Sequence, residues 1–208
     1  MMKRCIVIGS MPVEFDLNNI ITEQDYIICA DRGYLHAKSQ NVQPHLIVGD
    51  FDSAPPPSDT DAEVVTLPTV KDDTDSYYIA RQIVKGGYTH AVFCGVTGGR
   101  PDHTFANIQM LKFMAKNGVD TVIVDKDSTY TVLVDGTTVL EPQEDRYFSI
   151  FSLDEKCVGV SENGGKYELS DVELTNDFPI GVSNEFAGKP VEITVKKGAL
   201  LIITTKKD

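Results

Sequence analysis

The chain has 208 residues, enough for one medium-sized domain or two small ones. Hydrophobic residues make up 41% of it and charged residues 24%, a balance typical of a folded globular protein and not of a disordered chain. The net charge of −12 disfavours nucleic-acid binding, which uses basic surfaces, and favours a cationic ligand or a polyphosphate bound through a divalent metal ion.

The first part of the chain repeats one pattern: a short apolar run, a turn and a helix-like stretch. The runs are rich in Val and Ile and do not alternate with polar residues, which is typical of strands buried on both faces of a parallel sheet. We therefore expect strands at Cys5–Ile8, Tyr26–Ala30, Leu46–Val48, Val64–Leu67, Ala91–Cys94 and Val119–Val124.

Two helices are predicted between these strands. Within Asp75–Lys85, Ile79 and Ile83 are four residues apart and share a helical face. In His103–Asn117 apolar residues recur every three positions, at Phe105, Ile108, Leu111 and Met114. The alternation of strand and helix predicts a doubly wound, mostly parallel α/β domain over residues 1–127.

From residue 128 onward the pattern changes to short, often alternating apolar stretches, with no helical period. The expected strands are Tyr130–Val134, Thr137–Leu140, Tyr147–Phe151, Lys166–Leu174, Pro190–Val195 and Ala199–Thr204. The pairs Asp135-Gly136 and Lys197-Gly198 predict tight hairpin turns. A smaller antiparallel, sandwich-like β domain over residues 128–208 follows, and we expect it to pack on its own first domain or on a partner chain.

The cysteines predict packing and not chemistry. None of the four belongs to a CxxC pair, and three lie inside apolar runs. This pattern indicates buried thiols in a reducing compartment. No apolar segment approaches the roughly 18 residues of a membrane span, so a cytoplasmic protein without a membrane partner is expected.

Aspartates follow four consecutive predicted strands, at the edge where open α/β sheets bind ligands. Each taken alone is explained equally well as a turn residue or a helix cap, as for Asp73 and Asp75 at the start of a helix. Carboxylates brought together repel one another unless a cation neutralises them, which favours a magnesium site. The segments are Asp31-Arg32-Gly33, Gly49-Asp50-Phe51-Asp52-Ser53, Lys71-Asp72-Asp73-Thr74-Asp75 and Gly95 through His103.

Phosphate partners are predicted within the same segments. Gly98-Gly99 before a helix permits close backbone approach, and a helix N-terminus favours anions. Lys71 and Arg100 lie among the acids, where phosphate charge would arrive, whereas His103 is as readily a packing or capping residue as a catalytic one.

The residues by themselves leave three functions open. One is a magnesium-dependent transfer of a phosphoryl-type group. A second is a phosphohydrolase that uses Asp50 and Asp52 on bound water. A third is a catalytically silent protein that binds nucleotide and metal, since a fold alone does not determine function.

Five segments, taken together and in order, resemble the signatures of bacterial thiamine pyrophosphokinases. They are Ala30-Asp31-Arg32-Gly33, Gly49 through Ser53, Lys71 through Asp75, Gly95 through His103 with Ala106-Asn107, and Gly181-Val182-Ser183-Asn184-Glu185-Phe186. The resemblance implies transfer of a diphosphate group from ATP to the hydroxyl of thiamine. It also implies an ATP-binding α/β domain, a β domain that helps to hold thiamine, and a homodimer with active clefts between subunits.

The resemblance also implies roles for individual residues. Carboxylates around Mg²⁺ and the polyphosphate would be Asp50, Asp52, Asp72, Asp75 and Asp102. Lys71, Thr74 and Arg100 would contact phosphates, and Ser183 and Asn184 would face thiamine. The other substrate-binding motif positions are Asp31, Gly33, Ser53, Gly98, Gly99, His103 and Asn107.

The resemblance does not identify the proton acceptor, and the sequence departs from the family pattern at one position. Asp75 and Asp102 are both candidates to accept the proton of the hydroxyl. Tyr77 stands where the family pattern usually has Glu, which leaves the number of metal ions open.

Overall fold

The computed structural model describes residues 3–52, 55–68 and 74–207. It divides into two compact units. The first contains Met1–Met110 and Asn117–Lys126, and the second contains Leu111–Lys116 and Asp127–Asp208.

The first unit is built on a parallel sheet. Its strands are β1 (Arg4–Ile8), β2 (Tyr26–Ala30), β3 (Leu46–Gly49), β4 (Glu63–Thr66), β5 (His90–Cys94) and β6 (Asp120–Val124). They pair in parallel in the order β6-β5-β1-β2-β3-β4. Helices connect them at α1 (Gly33–Ser39), α2 (Asp75–Lys85) and α3 (Pro101–Lys116), with a short 3₁₀ turn at Leu17–Asn19.

This arrangement confirms the doubly wound α/β fold. The apolar runs form the buried strands because side chains on both faces of the sheet pack into the core, as the fully buried Ile6 and Ile8 on β1 and Phe93 on β5 illustrate. Helix α2 has the predicted bounds. Helix α1 was not predicted, since its 7 residues form only two turns and carry little periodic signal.

The buried face of α3 agrees with the predicted one in part. Leu111 and Met114 are buried as predicted, whereas Phe105, the first member of the three-residue repeat, is 60% exposed. Asn107 and Met110 are buried in addition. A repeat of three drifts around a helix of 3.6 residues per turn, whereas the buried positions keep the i, i+3, i+4, i+7 spacing of one face.

The second unit is antiparallel, as predicted. Its strands are β7 (Ser128–Leu140), β8 (Arg146–Ser152), β9 (Lys156–Asn163), β10 (Leu169–Thr175), β11 (Asn184–Glu185) and β12 (Val191–Lys206). The long strand β12 pairs with β7 along its length, with β9 through its first half and with β8 through its second half. Side chains from both halves pack in one core, for example Phe148, Val160, Val191 and Ile202.

The two predicted hairpin turns are wrong. Asp135-Gly136 lies inside the continuous strand β7, and Lys197-Gly198 lies inside β12. The two pairs face each other across the β7–β12 ladder, where the register shifts between Val195 and Ala199 and the Gly198 N–H donates to Asp135 Oδ1 at 2.7 Å. Residues that favour positive φ occur in bulges as well as in turns. The local sequence therefore indicates positive φ correctly, but strand pairing decides whether the residues form a turn or a bulge.

Strand β9 was not predicted. Gly159, with φ +68°, interrupts its alternating pattern of Cys157, Val160 and Glu162, all of which are buried. A glycine inside a strand marks a bulge as often as an end, and here the chain continues through it.

The cysteines are packing residues, as predicted. All four are buried and free of disulfides. Burial raises the pKa of the Cys5 and Cys94 thiols to about 12, which leaves them protonated and unreactive at neutral pH. Within the described part of the chain, no helix has both the length and the apolarity that crossing a bilayer requires.

Candidate active site

A cavity of about 420 Å³ lies in the first unit at the carboxyl ends of the parallel strands. From β1 the chain runs through β2, β3 and β4 to one edge of the sheet, then returns to add β5 and β6 on the other side. The strand order therefore reverses between the neighbours β1 and β5, and the crevice beyond their carboxyl ends is the usual ligand site of an open α/β sheet. Lining residues after β1 and β5 include Ser10 and Gly95.

Asp31 and Asp50 enter the cavity from the ends of β2 and β3. The Asp31 N–H donates to Val48 O at 2.8 Å, which ties the two strand ends together. Asp31 Oδ1 occupies the space beside Gly49, where a Cβ would lie 2.1 Å from that oxygen. Asp50 Oδ1 accepts the N–H of Asp52 at 3.1 Å and so shapes its own turn. Backbone geometry thus directs both carboxylates toward the same space.

The start of α2 adds Thr74, Asp75 and Ser76 to the lining. Thr74 is the N-cap, and its Oγ1 accepts the N–H of Tyr77 at 3.2 Å. The cap is therefore the threonine and not Asp75, which was one of the expected capping residues. A carboxylate in the first turn of a helix lies near unpaired N–H groups and is stabilised there by the helix dipole.

The loop after β5 depends on glycine. Gly95 has φ +64°, and a Cβ at this position would lie 2.7 Å from Met11 O and 2.9 Å from Gly9 O. The loops after β1 and β5 can therefore touch only if residue 95 has no side chain. Gly98 and Gly99 also have positive φ, and Gly98 lines the cavity while Gly99 does not.

Two hydrogen bonds, one partly and one fully buried, fix the same loop. Thr97 Oγ1 donates at 2.6 Å to Oδ2 of Asp125, which lies in the loop after β6. Asn107, on α3 and 6% exposed, donates from Nδ2 to Val96 O at 2.7 Å. Asn107 also lines the cavity, so one side chain both holds the loop and forms part of the cavity wall.

Arg100 and Asp102 form an exposed ion pair. Arg100 Nε donates to Asp102 Oδ1 at 3.1 Å, and Nη2 donates to Oδ2. The hydrogen bond from Arg100 holds the pKa of Asp102 below its usual range, and a backbone hydrogen bond from His103 contributes in the same direction. Arg100 and His103 line the cavity, whereas Asp102 does not.

The predicted positions are therefore brought together only in part. The cavity collects Asp31, Asp50, Thr74, Asp75, Gly98, Arg100, His103 and Asn107. Asp52 is exposed outside the lining, and Gly33 is a buried packing position where a Cβ would lie 1.9 Å from Ile8 O. Ser53, Lys71 and Asp72 lie outside the described residues.

One wall of the cavity, formed by Gly9, Ser10 and Met11 after β1, was not predicted. These residues have no charged side chain, so acidic residues at strand ends do not indicate them. The strand-end rule itself, applied to the first strand as to the others, would have found them.

The donor chemistry suits a divalent cation shared with a substrate. Among the residues that the structure describes, no three His, Cys, Asp or Glu side chains are close enough to hold a metal ion by themselves. Mg²⁺ is commonly held by one or two carboxylates together with substrate phosphates. Asp31, Asp50 and Asp75 around one cavity fit that arrangement.

The predicted thiamine segment, Gly181–Phe186, lies in the second unit. Ser183 is exposed, has φ +57° and donates its N–H to Ser149 Oγ at 2.9 Å. Asn184 is 4% exposed, and its side chain bonds within the unit: Nδ2 donates to Glu162 Oε1 and to Tyr167 O. Of these two residues, it is Ser183 that is accessible to a ligand.

Comparison with known families gives two matches in chain order. Residues 17–123 match the model described as thiamin pyrophosphokinase, catalytic domain. Residues 137–200 match the model described as thiamin pyrophosphokinase, vitamin B1 binding domain. The first match includes most of the cavity lining, and the second includes Ser183.

Individual proteins agree with these matches over at least nine-tenths of their length. A thiamine pyrophosphokinase of Bacillus subtilis (strain 168) is 26% identical over 194 residues, which is 90% of this chain and 91% of that protein. A crystal structure of thiamin pyrophosphokinase from Geobacillus thermodenitrificans is 25% identical, covers 99% of this chain and 98% of its own, and has a TM-score of 0.88. A Bacillus subtilis thiamine pyrophosphokinase structure has a TM-score of 0.91 at 24% identity, covering 99% and 100% of the two chains.

Proposed function

The chain belongs to the thiamin pyrophosphokinase family, an enzyme family, and on that premise we propose that it transfers a diphosphate group from ATP to the hydroxyl of thiamine. The products are thiamine diphosphate and AMP. The observation that carries the proposal is the cavity at the switch point of the sheet, where carboxylates, a guanidinium and a glycine-rich loop meet. A reaction at phosphorus requires mainly positioning and charge stabilisation, and this lining supplies both.

We assign the ATP polyphosphate to the side of the cavity formed by the β5–α3 loop. Positive φ at Gly98 and Gly99 permits close backbone approach, and the N-terminus of α3 favours an anion. Arg100 lines this side and supplies a planar, permanently charged donor. Thr74 uses its oxygen to accept from Tyr77 N–H, so its hydroxyl proton is available for a phosphate. Lys71, from the segment before Thr74, is proposed as a further phosphate contact.

We assign Mg²⁺ to the acidic side, with Asp50 and Asp75 as the first candidates because both line the cavity. Asp52, Asp72 and Asp102 complete the proposed set. Mg²⁺ held by these carboxylates would neutralise charge on the phosphates. The carboxylates also make the cavity favourable for the cationic ring of thiamine.

Asp75 is the better candidate to accept the proton of the thiamine hydroxyl. It lines the cavity, whereas Asp102 lies outside the lining. Asp102 is in addition already paired with Arg100, which donates to both of its carboxylate oxygens. Transfer then proceeds as the hydroxyl oxygen bonds to the β-phosphorus and the bond to the AMP oxygen breaks.

Thiamine is proposed to contact Ser183 of the second unit, in a homodimer with active clefts between subunits. Large apolar side chains near Ser183 are exposed: Tyr167 62%, Phe178 64%, Ile180 43% and Val182 46%. A group of exposed apolar side chains is typical of a protein interface, and a second copy of this chain is the proposed occupant. Four free buried thiols suit a reducing compartment, which supports a cytoplasmic location.

The test is an assay of AMP formation from ATP and Mg²⁺, with and without thiamine, and with thiamine diphosphate identified by chromatography. We expect AMP only with thiamine and in equal amounts with thiamine diphosphate. Inorganic phosphate released without thiamine would instead identify a phosphohydrolase. Nucleotide binding without either product, from protein shown to be folded, would identify a silent binding protein and overturn the proposal.

A further inference from the structure

Glu162 is a buried carboxyl group that the proposed reaction does not use. Among the described acidic side chains only Asp25 and Glu162 are buried, at 5% and 2% exposure. Asp25 has a cation, since Arg4 donates to it from Nε at 2.8 Å and from Nη2 at 2.6 Å. Glu162 has no cationic partner among the described residues, and a buried carboxylate without a cation is costly. Its place on β9 therefore needs an explanation other than packing.

The partner of Glu162 is the amide of Asn184. Asn184 Nδ2 donates to Glu162 Oε1 and, at 2.6 Å, to Tyr167 O. Its Oδ1 accepts from Tyr167 N at 3.0 Å and from Glu185 N at 2.8 Å. A side-chain amide has two donor and two acceptor positions, so the capacity of Asn184 is fully used inside its own unit.

This amide determines the shape of the segment beside it. Ser183 directly precedes Asn184 and has φ +57°, a conformation that non-glycine residues adopt only where the surroundings hold it. On its other side the segment is held to β8, because Gly181 O accepts from Ile150 N at 2.7 Å and Ser183 N–H donates to Ser149 Oγ at 2.9 Å. Ser183 is thus fixed on one side by β8 and on the other by Asn184. Glu162 is the buried residue that accepts a hydrogen bond from the Asn184 amide.

We propose that Glu162 is a positioning residue for thiamine: by fixing the Asn184 amide it holds Ser183 in the conformation that contacts the substrate. This inference rests on the proposed function, since it gives the segment its thiamine-binding task. It assigns Asn184 the same indirect role and leaves substrate contact to Ser183.

The ionisation of Glu162 gives the inference a pH signature. Burial raises its pKa from 4.5 to about 7, although the hydrogen bond from Asn184 acts in the opposite direction. The carboxylate accepts a stronger hydrogen bond than the neutral acid does, so the Asn184 amide is held more firmly as the pH rises through 7. The binding of thiamine is then tighter at pH 8 than at pH 6.

Charged groups on the elements around Glu162 are directed to the surface. On β12 and β10, Lys196 pairs with Asp171, and on β9 and β10, Lys156 pairs with Glu173. The loop between β9 and β10 has Lys166 and Glu168, the loop before β11 has Asp177, and β11 and the residues after it have Glu185, Lys189, Glu192 and Lys207. Of the pairs that the structure describes, none includes Glu162, so its titration is governed by burial and by Asn184.

The experiment compares Glu162→Leu, which removes the acceptor, with Glu162→Gln, which keeps an acceptor but cannot ionise. Val160→Ala on the same strand is the control for a purely structural loss, because Val160 is fully buried and belongs to the β core. Glu192→Gln on the neighbouring strand controls for the loss of one exposed charge. Initial rates are measured over a range of thiamine concentrations at pH 6, 7 and 8, with saturating ATP and Mg²⁺.

We expect Glu162→Leu to raise the KM for thiamine about tenfold with kcat within about twofold, the size of effect of one lost charge-assisted hydrogen bond. Glu162→Gln should return the KM to within about threefold of wild type and abolish its pH dependence, because the acceptor remains and the ionisation does not. Val160→Ala and Glu192→Gln should leave the KM unchanged. A KM for Glu162→Leu equal to that of Val160→Ala, or a pH profile of Glu162→Gln that follows wild type, would overturn the inference.

A second measurement needs no turnover. Hydrogen–deuterium exchange of the peptide spanning Gly181–Phe186 should be faster in Glu162→Leu than in wild type, and unchanged in Val160→Ala. Equal exchange in all three proteins would remove Glu162 from any positioning role. If wild type makes no thiamine-dependent AMP, the proposed function fails, while the exchange data still decide whether Glu162 holds the segment.

Discussion

The cavity in the first unit and the Gly181–Phe186 segment in the second are held in shape by different means. Around the cavity, backbone geometry at positions such as Gly95 and Asp31 directs side chains into open space. In the segment, the buried side chain of Asn184 uses all of its hydrogen-bonding capacity inside the unit. Those bonds fix the backbone and with it the position of the exposed Ser183.

Because the two regions are held in shape differently, substitutions in them should change different kinetic constants. At the cavity the accessible charged groups are the ones proposed to do chemistry, so their loss should lower kcat. In the segment the buried groups act through a neighbour, so their loss should mainly raise a KM.

The largest expected effect is on turnover at the cavity. Asp75→Asn should lower kcat by about 10²-fold or more, since it removes a proposed base and metal-binding carboxylate. Asp50→Asn, at the end of β3, should behave alike. Steady-state kinetics with Asp61→Asn as an exposed control measures this. Near-normal kcat in both variants would remove these residues from the mechanism.

Replacement of Gly95 by Ala should destabilise the folded protein. The new Cβ would lie 2.7 Å from Met11 O at a φ of +64°, so the β1 and β5 loops must separate. We expect a loss of about 2 kcal/mol or more in the free energy of unfolding.

Gly87→Ala is the matched control for this variant. Gly87 has φ +68° but no atom within 4 Å of an added Cβ, so only the backbone strain of about 1 kcal/mol is expected. Urea unfolding of both variants measures the difference. Equal losses would mean that the close approach of the two loops contributes nothing.

Glu162 should make stability depend on pH. Its pKa is raised from 4.5 to about 7 in the folded protein. Between these values the folded state holds a proton that the unfolded state has lost. The contribution of Glu162 to the free energy of unfolding is therefore fully present below pH 4.5. It falls as the pH rises to 7, by on the order of 1 kcal/mol per pH unit.

The measurement is the difference in unfolding free energy between wild type and Glu162→Gln across pH 5 to 8. Contributions of the other groups cancel in that difference. Wild type should gain on the variant as the pH falls from 7 toward 5, and parallel curves would contradict the raised pKa.

The smallest expected effect belongs to Ser183. Ser183→Ala should raise the KM for thiamine about fivefold with little change in kcat, as expected for the loss of one hydrogen bond to the substrate. Ser170→Ala on β10, an exposed serine of the same unit, is the control. An unchanged KM would argue against a thiamine site at this segment.

Much of the first unit could be predicted because its signals are local. A strand buried on both faces has a continuous apolar run, as in Ile6-Val7-Ile8, and α2 shows its face in Ile79 and Ile83. The strand-end rule then located Asp31, Asp50 and Asp75 at one cavity without any coordinates. It could not separate Asp50, which lines the cavity, from Asp52, because two residues along one turn point in different directions.

Less of the second unit could be predicted, because its signals are ambiguous until partners are known. Asp135-Gly136 and Lys197-Gly198 have the composition of hairpin turns, yet they face each other as a bulge between two long strands. Asn184 lies in the Gly181–Phe186 motif and was predicted to contact thiamine, yet it is 4% exposed.

The sequence by itself determined the alternation of strands and helices, the antiparallel character of the second half and the motifs of the family. Each of these depends on residues close together in the chain, where period, turn chemistry and charge act directly. Only the tertiary structure decided that Glu162 and Asn184 meet, although 22 residues separate them. A hydrogen bond between distant residues depends on how the strands pair, and no local pattern in either segment records that pairing.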